Sequence, residues 1–139
     1  MSENKVVVTK VIKASPEEVF EAFTNPKIMT KWFYGDEGWT ADISNTLEVG
    51  GKYNLTMLAT DGKKYKHTGE YKVIAPPEKL VFTWNSDFAQ NTVVTVDFRQ
   101  VADGTEVTLE HDFLPTDEAR EDHRKGWTIC LRNLERLYA

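Results

Sequence analysis

The chain has 139 residues, 40% hydrophobic, 28% charged and 12% aromatic, with a formal net charge of −5 at pH 7. That length suits one compact domain, and four Trp, five Tyr and seven Phe are too many apolar rings for a disordered segment. No apolar run approaches the ~20 residues of a membrane span, the start MSENKVVVTK lacks the apolar stretch of a secretory leader, and interspersed charges of acidic balance argue against a nucleic-acid surface.

Lys5 to Lys13 is rich in β-branched residues and reads as a strand; valines on both alternating faces leave its buried side open. Ser15-Pro16-Glu17-Glu18 opens a helix. Ser15 can accept from the N–H three residues on, Glu18 can reach back to the cap, and Pro16 sits where a missing N–H costs nothing. Val19, Phe20 and Phe23 give that helix its apolar face. Asn25-Pro26 interrupts it, and a second short helix is expected from Pro26 to Phe33, carrying Ile28, Met29, Trp32 and Phe33. An irregular stretch, 34–39, follows.

Strand signals then dominate up to residue 112. Lys52 to Leu58 alternates Tyr53, Leu55 and Met57 against Lys52, Asn54 and Thr56, and Asp61-Gly62 reads as a two-residue hairpin turn. In Lys64 to Val73, Tyr65, His67, Gly69, Tyr71 and Val73 share a face. Pro76-Pro77 marks a corner. Leu80, Phe82 and Trp84 lie together on the next strand, and residues 85–91 form a polar loop. Thr92 to Val101 then presents Val94, Val96 and Phe98 on one face. After a turn at Asp103-Gly104, Glu106 to Asp112 presents Val107, Leu109 and His111. One apolar and one polar side per strand is the pattern of an antiparallel sheet with one solvated face.

From about Asp117 to Tyr138 the chain reads as a helix capped by Thr116 or Asp117, with acids at its start and Arg132 and Arg136 near its end. Helical spacing gathers Arg120, His123, Trp127, Cys130, Leu131, Leu134 and Tyr138 into one stripe, from which only Ile129 departs. Cys130, the sole cysteine, allows no internal disulfide, so a reducing cytoplasm is the expected compartment. No repeat or linker-like tract divides the chain, and one domain over 1–139 is expected.

The expected fold class is therefore α+β: a strand, two short helices, about six consecutive antiparallel strands and a long C-terminal helix. A curved sheet of six or seven strands wrapped on one helix leaves a cavity wherever the two diverge. This order, with Ala14-Ser15-Pro16-Glu17-Glu18-Val19-Phe20, resembles the START-like, or helix-grip, superfamily of the birch-pollen allergens. Within it the chain is similar to the family named for the activator of the heat-shock protein 90 ATPase. The likeness rests on Asn25-Pro26 before Lys31-Trp32-Phe33, Val49-Gly50-Gly51-Lys52-Tyr53, Pro77-Glu78-Lys79-Leu80-Val81-Phe82-Thr83-Trp84, and His123-Arg124-Lys125-Gly126-Trp127 with Leu131 and Leu134. It covers nearly the whole chain. The resemblance implies a small stand-alone member of bacterial type, in a superfamily that mostly holds hydrophobic ligands and in which some branches are cyclases, dehydratases or hydrolases. Eukaryotic co-chaperones of this family carry a separate chaperone-binding domain for which this chain has no room. A chaperone contact stays open, without a sequence feature to support it.

In such a fold Tyr53, Leu55, Met57, Tyr65, His67, Tyr71, Phe82, Trp84 and His111 are expected on the concave face, with Trp127, Cys130 and Leu131 looking down from the helix. These twelve form the expected ligand-binding set for a small hydrophobic or aromatic molecule; a filled core is the competing reading of the same residues. His67 and His111 are the polar members, suited to a general base or to a ligand hydrogen bond, or else satisfied structurally. Glu110 and Asp112 flank His111 but point the other way. Three His and one Cys without clustered carboxylates do not make a metal site, and no nucleophile elbow, phosphate loop or dinucleotide fingerprint is present, so neither metal nor cofactor is expected. Cys130 reads as a small core residue. Arg120 and His123 are expected at the cavity mouth or on a solvated face, and Trp39 and Phe88 at an entrance or a dimer contact. The first functional expectation is a non-catalytic small-molecule binder, monomeric or weakly dimeric. A co-chaperone-like interaction module and an enzyme of cyclase or hydrolase type using cavity His and Tyr are the alternatives.

Overall fold

The computed structural model describes residues 5–34, 38–87 and 89–139. Residues 1–4 of the N-terminal stretch read as lacking a secretory leader, residues 35–37 of the irregular stretch, and Phe88 therefore lie outside the described residues. Strand β1 (Val6–Ile12) is followed by helices α1 (Pro16–Thr24) and α2 (Pro26–Met29). Strands β2 (Thr40–Asn45), β3 (Lys52–Leu58), β4 (Lys64–Ala75), β5 (Lys79–Trp84), β6 (Thr92–Val101) and β7 (Gly104–Asp112) come next, and helix α3 (Asp117–Leu137) closes the order. The seven strands form one sheet in the order β1-β7-β6-β5-β4-β3-β2, with every neighbouring pair antiparallel. This is the α+β helix-grip arrangement: β2 to β7 run as a meander, and β1 returns to the far edge beside β7.

Local chemistry sets the breaks. Ser15 Oγ accepts from Glu18 N at 3.2 Å while Glu18 Oε1 accepts from Ser15 N at 3.2 Å, the reciprocal capping box that starts α1. Asn25 ends α1 and caps α2 through its side chain, which accepts from Lys27 N at 3.1 Å. Helix α2 is shorter than the expected Pro26–Phe33. After Met29 the backbone mixes bonds of both spacings, Lys31 N to Ile28 O and Phe33 N to Met29 O, and Trp32 and Phe33 leave the helix to pack inward.

Three further expectations are corrected. The β3–β4 hairpin is longer than a two-residue turn: Ala59 N bonds Lys63 O, Gly62 N bonds Ala59 O, and Gly62 takes φ +89°, so three residues loop out with glycine at the left-handed position. The β6–β7 register closes Val101 on Gly104, so that turn is Ala102-Asp103 and β7 starts earlier than Glu106. In β4 the pairing with β5 shifts register between Tyr71 and Val73, and this bulge turns Val73 outward to 39% exposure. The face of β1 left open by its valines resolves as Val6, Val8 and Ile12 inward, with Val7 and Val11 exposed.

The core lies between the concave face and the helices. Phe23 meets Trp32 at 4.7 Å between ring centroids, Trp32 stacks on Phe33 at 4.8 Å, and Phe33 stacks on Trp84 at 6.0 Å, so rings run unbroken from α1 to the sheet centre. Trp32 Nε1 donates to Ala22 O at 2.9 Å, which satisfies the one polar atom of a fully buried indole. The α3 backbone approaches the sheet closely along β1 and stands off the other strands, where side chains bridge the gap. No helix among the described residues is long and apolar enough to cross a membrane.

Candidate functional site

Where α3 stands off the sheet, a cavity of about 490 Å³ opens between them. Met57 of β3, Tyr65 and His67 of β4 and Trp84 of β5 form its sheet wall. Trp127, Cys130, Gly126 and Ile129 of α3 face them, and Phe33 and Trp39 close the sides. Ala119, Asp122, His123 and Lys125 complete the lining toward the start of α3, where Asp122 and Lys125 are solvent-exposed. Trp39 and Tyr65 stack nearly parallel, with centroids 5.2 Å apart and planes 6° from parallel. Trp84 and Trp127 approach at 5.0 Å. The wall is thus built from flat rings, with few polar atoms among them.

Of the twelve residues expected to bind a ligand, Met57, Tyr65, His67, Trp84, Trp127 and Cys130 line this cavity. The other six sit behind its walls in packed core, because each already has an internal partner. Tyr53 donates to Thr83 O at 2.5 Å and packs edge-on against Phe82 at 5.6 Å. Tyr71 OH accepts from Asn45 Nδ2 at 3.0 Å. Burial raises the pKa of both tyrosines, Tyr53 the more strongly, with Tyr71 adding to its shift. Leu55 and Leu131 are closed in by core side chains, and His111 is fully buried.

The three histidines come from β4, β7 and α3 and gather around Trp84, with centroid distances to it of 4.5 Å for His67, 6.0 Å for His111 and 6.5 Å for His123. Their chemistry differs. Trp127 Nε1 donates to His111 Nδ1 at 3.0 Å, which makes Nδ1 the unprotonated nitrogen; His111 Nε2 then donates to Thr92 Oγ1 at 2.8 Å, and Thr92 Oγ1 donates to Trp84 O at 2.6 Å. This relay uses both ring nitrogens in the neutral form. Burial first, and then His123 and His67, push the pKa of His111 down to about 3. His123 Nδ1 faces Ala119 O at 2.7 Å and so carries the proton. His67 is different: its Nδ1 is buried with no hydrogen-bond partner among the described residues, as is Nε1 of the neighbouring Trp84. Burial first, and then His123, hold the pKa of His67 near 4, against the opposing pull of the Leu55 and Tyr65 backbone and of Asp87.

These facts limit the chemistry. Among the described residues no carboxylate hydrogen-bonds a histidine. Glu110 points outward to Lys5, 3.3 Å away. His111 has no free nitrogen to offer a substrate. Burial pushes the Cys130 thiol up to about 12, and its Sγ donates to Tyr34 O at 3.3 Å. Among the described residues no group of three or more His, Cys, Asp or Glu is placed to hold a metal ion. Arg120 lies away from the cavity, donating to Leu114 O at 2.9 Å and pairing with Asp117.

Sequence reasoning had no place in its ligand set for Phe33, Ala119, Asp122, Lys125, Gly126 and Ile129, and kept Trp39 and His123 apart from it. One signal was present: Ile129 is apolar yet off the packing stripe, which is where a residue facing a cavity beside a helix falls.

Residues 13–139 match the family model described as Activator of Hsp90 ATPase homolog 1-like protein. A crystal structure of a protein from Chromobacterium violaceum is similar at 26% identity and TM-score 0.90, covering 97% of this chain and 96% of that one. The solution structure of an AHSA1-like protein from Aeromonas hydrophila is similar at 25% identity and TM-score 0.82, covering 95% of this chain and 90% of that one. An AHSA1 protein from Silicibacter pomeroyi shares the fold at 24% identity and TM-score 0.82, over 96% of each chain. No curated protein matches the chain in sequence.

Proposed function

The chain belongs to the family of Activator of Hsp90 ATPase homolog 1-like proteins, matched from residue 13 to 139, and from that premise we propose that it is a small-molecule binding protein whose ligand occupies the cavity between the sheet and α3. The observation that carries this reading is a cavity of about 490 Å³ walled by Phe33, Trp39, Tyr65, Trp84 and Trp127, the size and apolar character of a site for a small organic ligand. Two of its lining residues, His67 and Trp84, also hold ring nitrogens that are buried without a hydrogen-bond partner among the described residues. Binding without turnover is favoured over catalysis. His111 is saturated, His67 is a weak base at a pKa near 4, and burial holds Tyr53, Tyr71 and the Cys130 thiol in their neutral forms. A reducing cytoplasm suits the single buried cysteine.

The test is native mass spectrometry of protein purified without added ligand, followed by tryptophan quenching with a panel of aromatic and acyl compounds. The expected result is a co-purified mass, or saturable quenching that weakens on Trp39→Ala or Tyr65→Ala while the circular dichroism spectrum holds. An empty protein that ignores every compound would overturn the reading.

A further inference from the structure

Gly126 lies in the middle of α3, where glycine is the least favourable residue apart from proline. Other glycines have visible reasons. Gly38, Gly50, Gly62 and Gly104 take positive φ, and a Cβ on Gly51 or Gly69 would meet a backbone oxygen at 2.1 Å or 2.0 Å. Among the described glycines, Gly126 alone has neither constraint: its φ is ordinary and a Cβ would meet nothing within 4 Å. It is also the glycine that lines the cavity, next to Trp127 and one turn before Cys130. The missing side chain leaves bare helix backbone in the cavity lining.

Resting on the binding reading above, we infer that Gly126 is the residue that sets the size of ligand the cavity admits: the ligand lies against the α3 main chain at this position, and a side chain there would take its place. The cavity spans the gap between α3 and the sheet, so any side chain at 126 extends into the space a ligand needs. The helix itself has no use for the glycine. Replacement therefore has opposite effects on folding and on binding, a signature that a packing glycine does not give.

The probe is 8-anilinonaphthalene-1-sulfonate, an aromatic dye that brightens in apolar cavities and is read by energy transfer from the tryptophans around the site. Gly126→Ala is expected to raise the thermal midpoint by about 2–4 °C, the gain of a helix-favouring residue in a chain of this size. Gly126→Leu is expected to weaken dye binding roughly tenfold or more by occupying the space. Thr128→Leu, which places the same side chain on the exposed face of α3, should leave the affinity unchanged. A dye that binds the parent and Gly126→Leu equally overturns the inference and leaves the binding reading standing. A midpoint lowered by Gly126→Ala also overturns it, since the position would then not be open. A parent that shows no tryptophan-sensitised dye signal overturns the inference, and one that also ignores every compound of the panel removes the binding reading with it.

Discussion

His111 links the sheet to α3, and its effect on stability has a definite sign with pH. In the unfolded chain a histidine titrates near 6.5, whereas the folded His111 and His67 sit at about 3 and about 4. Both shifts are downward, so the fold favours the neutral rings. Their full contribution is present above about pH 6.5 and is lost as pH falls toward the folded values, because only the unfolded chain takes up protons in that window. At ~1.36 kcal/mol per pH unit, the interval for His111 amounts to roughly 4–5 kcal/mol, a large part of the ~5–15 kcal/mol of a typical domain. The two rings repel each other once charged, so the losses do not simply add. Near pH 5.5 the unfolded rings are about nine-tenths protonated and the folded ones almost wholly neutral, giving a slope of about 2.5 kcal/mol per pH unit from the pair. Urea denaturation at pH 5.0, 5.5, 6.0 and 6.5 measures that slope. His111→Gln keeps an acceptor for Trp127 and a donor for Thr92 but does not titrate. It should cost about 1–3 kcal/mol at pH 7 through poorer geometry and reduce the slope to about half. An unchanged slope in His111→Gln would refute the assignment of a neutral, doubly bonded imidazole.

Two further outcomes are expected. Cys130, held as a thiol by burial, should resist iodoacetamide at pH 8 in the native protein and react only once denaturant is added; rapid native labelling would place the sulfur in solvent. Asn133, buried in α3, donates from Nδ2 to Trp32 O at 3.2 Å and Tyr34 O at 3.4 Å, so Asn133→Ala should lower stability by about 1–3 kcal/mol in urea denaturation, and a loss below about 0.5 kcal/mol would mean those carbonyls find other partners.

Most of the fold was legible because its signals are local. The capping box at Ser15, the Asn25-Pro26 break, and the alternation in β3, β5, β6 and β7 each depend on neighbours within a few residues. β2 was not placed as a separate strand because it is an edge, with Ile43 its only buried side chain. The bulge after Tyr71 was hidden because it is a property of two strands in register, and neither strand's alternation announces it. The site was half legible for a related reason. Alternation selects the concave face but does not separate side chains that fill it from those that border empty space. Tyr53 and Met57 share a face and a strand, yet the first finds Thr83 O and the second finds the cavity. His111 was correctly placed inward, but its pairing with Trp127 depends on how far α3 slides along the sheet, which no spacing in either segment encodes.

The position of the cavity does follow from side-chain size along α3. In the C-terminal half, Leu131 and Leu134 are fully buried and Asn133 anchors the Trp32–Tyr34 segment, so helix and sheet are held together. In the N-terminal half, the residues lining the cavity before Trp127 are Ala119, Asp122, His123, Lys125 and Gly126, which are small or polar and supply no apolar bulk to fill the same distance. Trp127 stands at the boundary. Its ring packs on Phe33 and Trp84 while its Nε1 holds His111, so the last large side chain before the open half is fixed from both sides. A helix laid on a curved sheet with large residues at one end and small ones at the other must gape at the small end. Trp127 and His111 keep that gap from closing by collapse, since tilting α3 inward would break a bond that the buried imidazole has no other donor to replace.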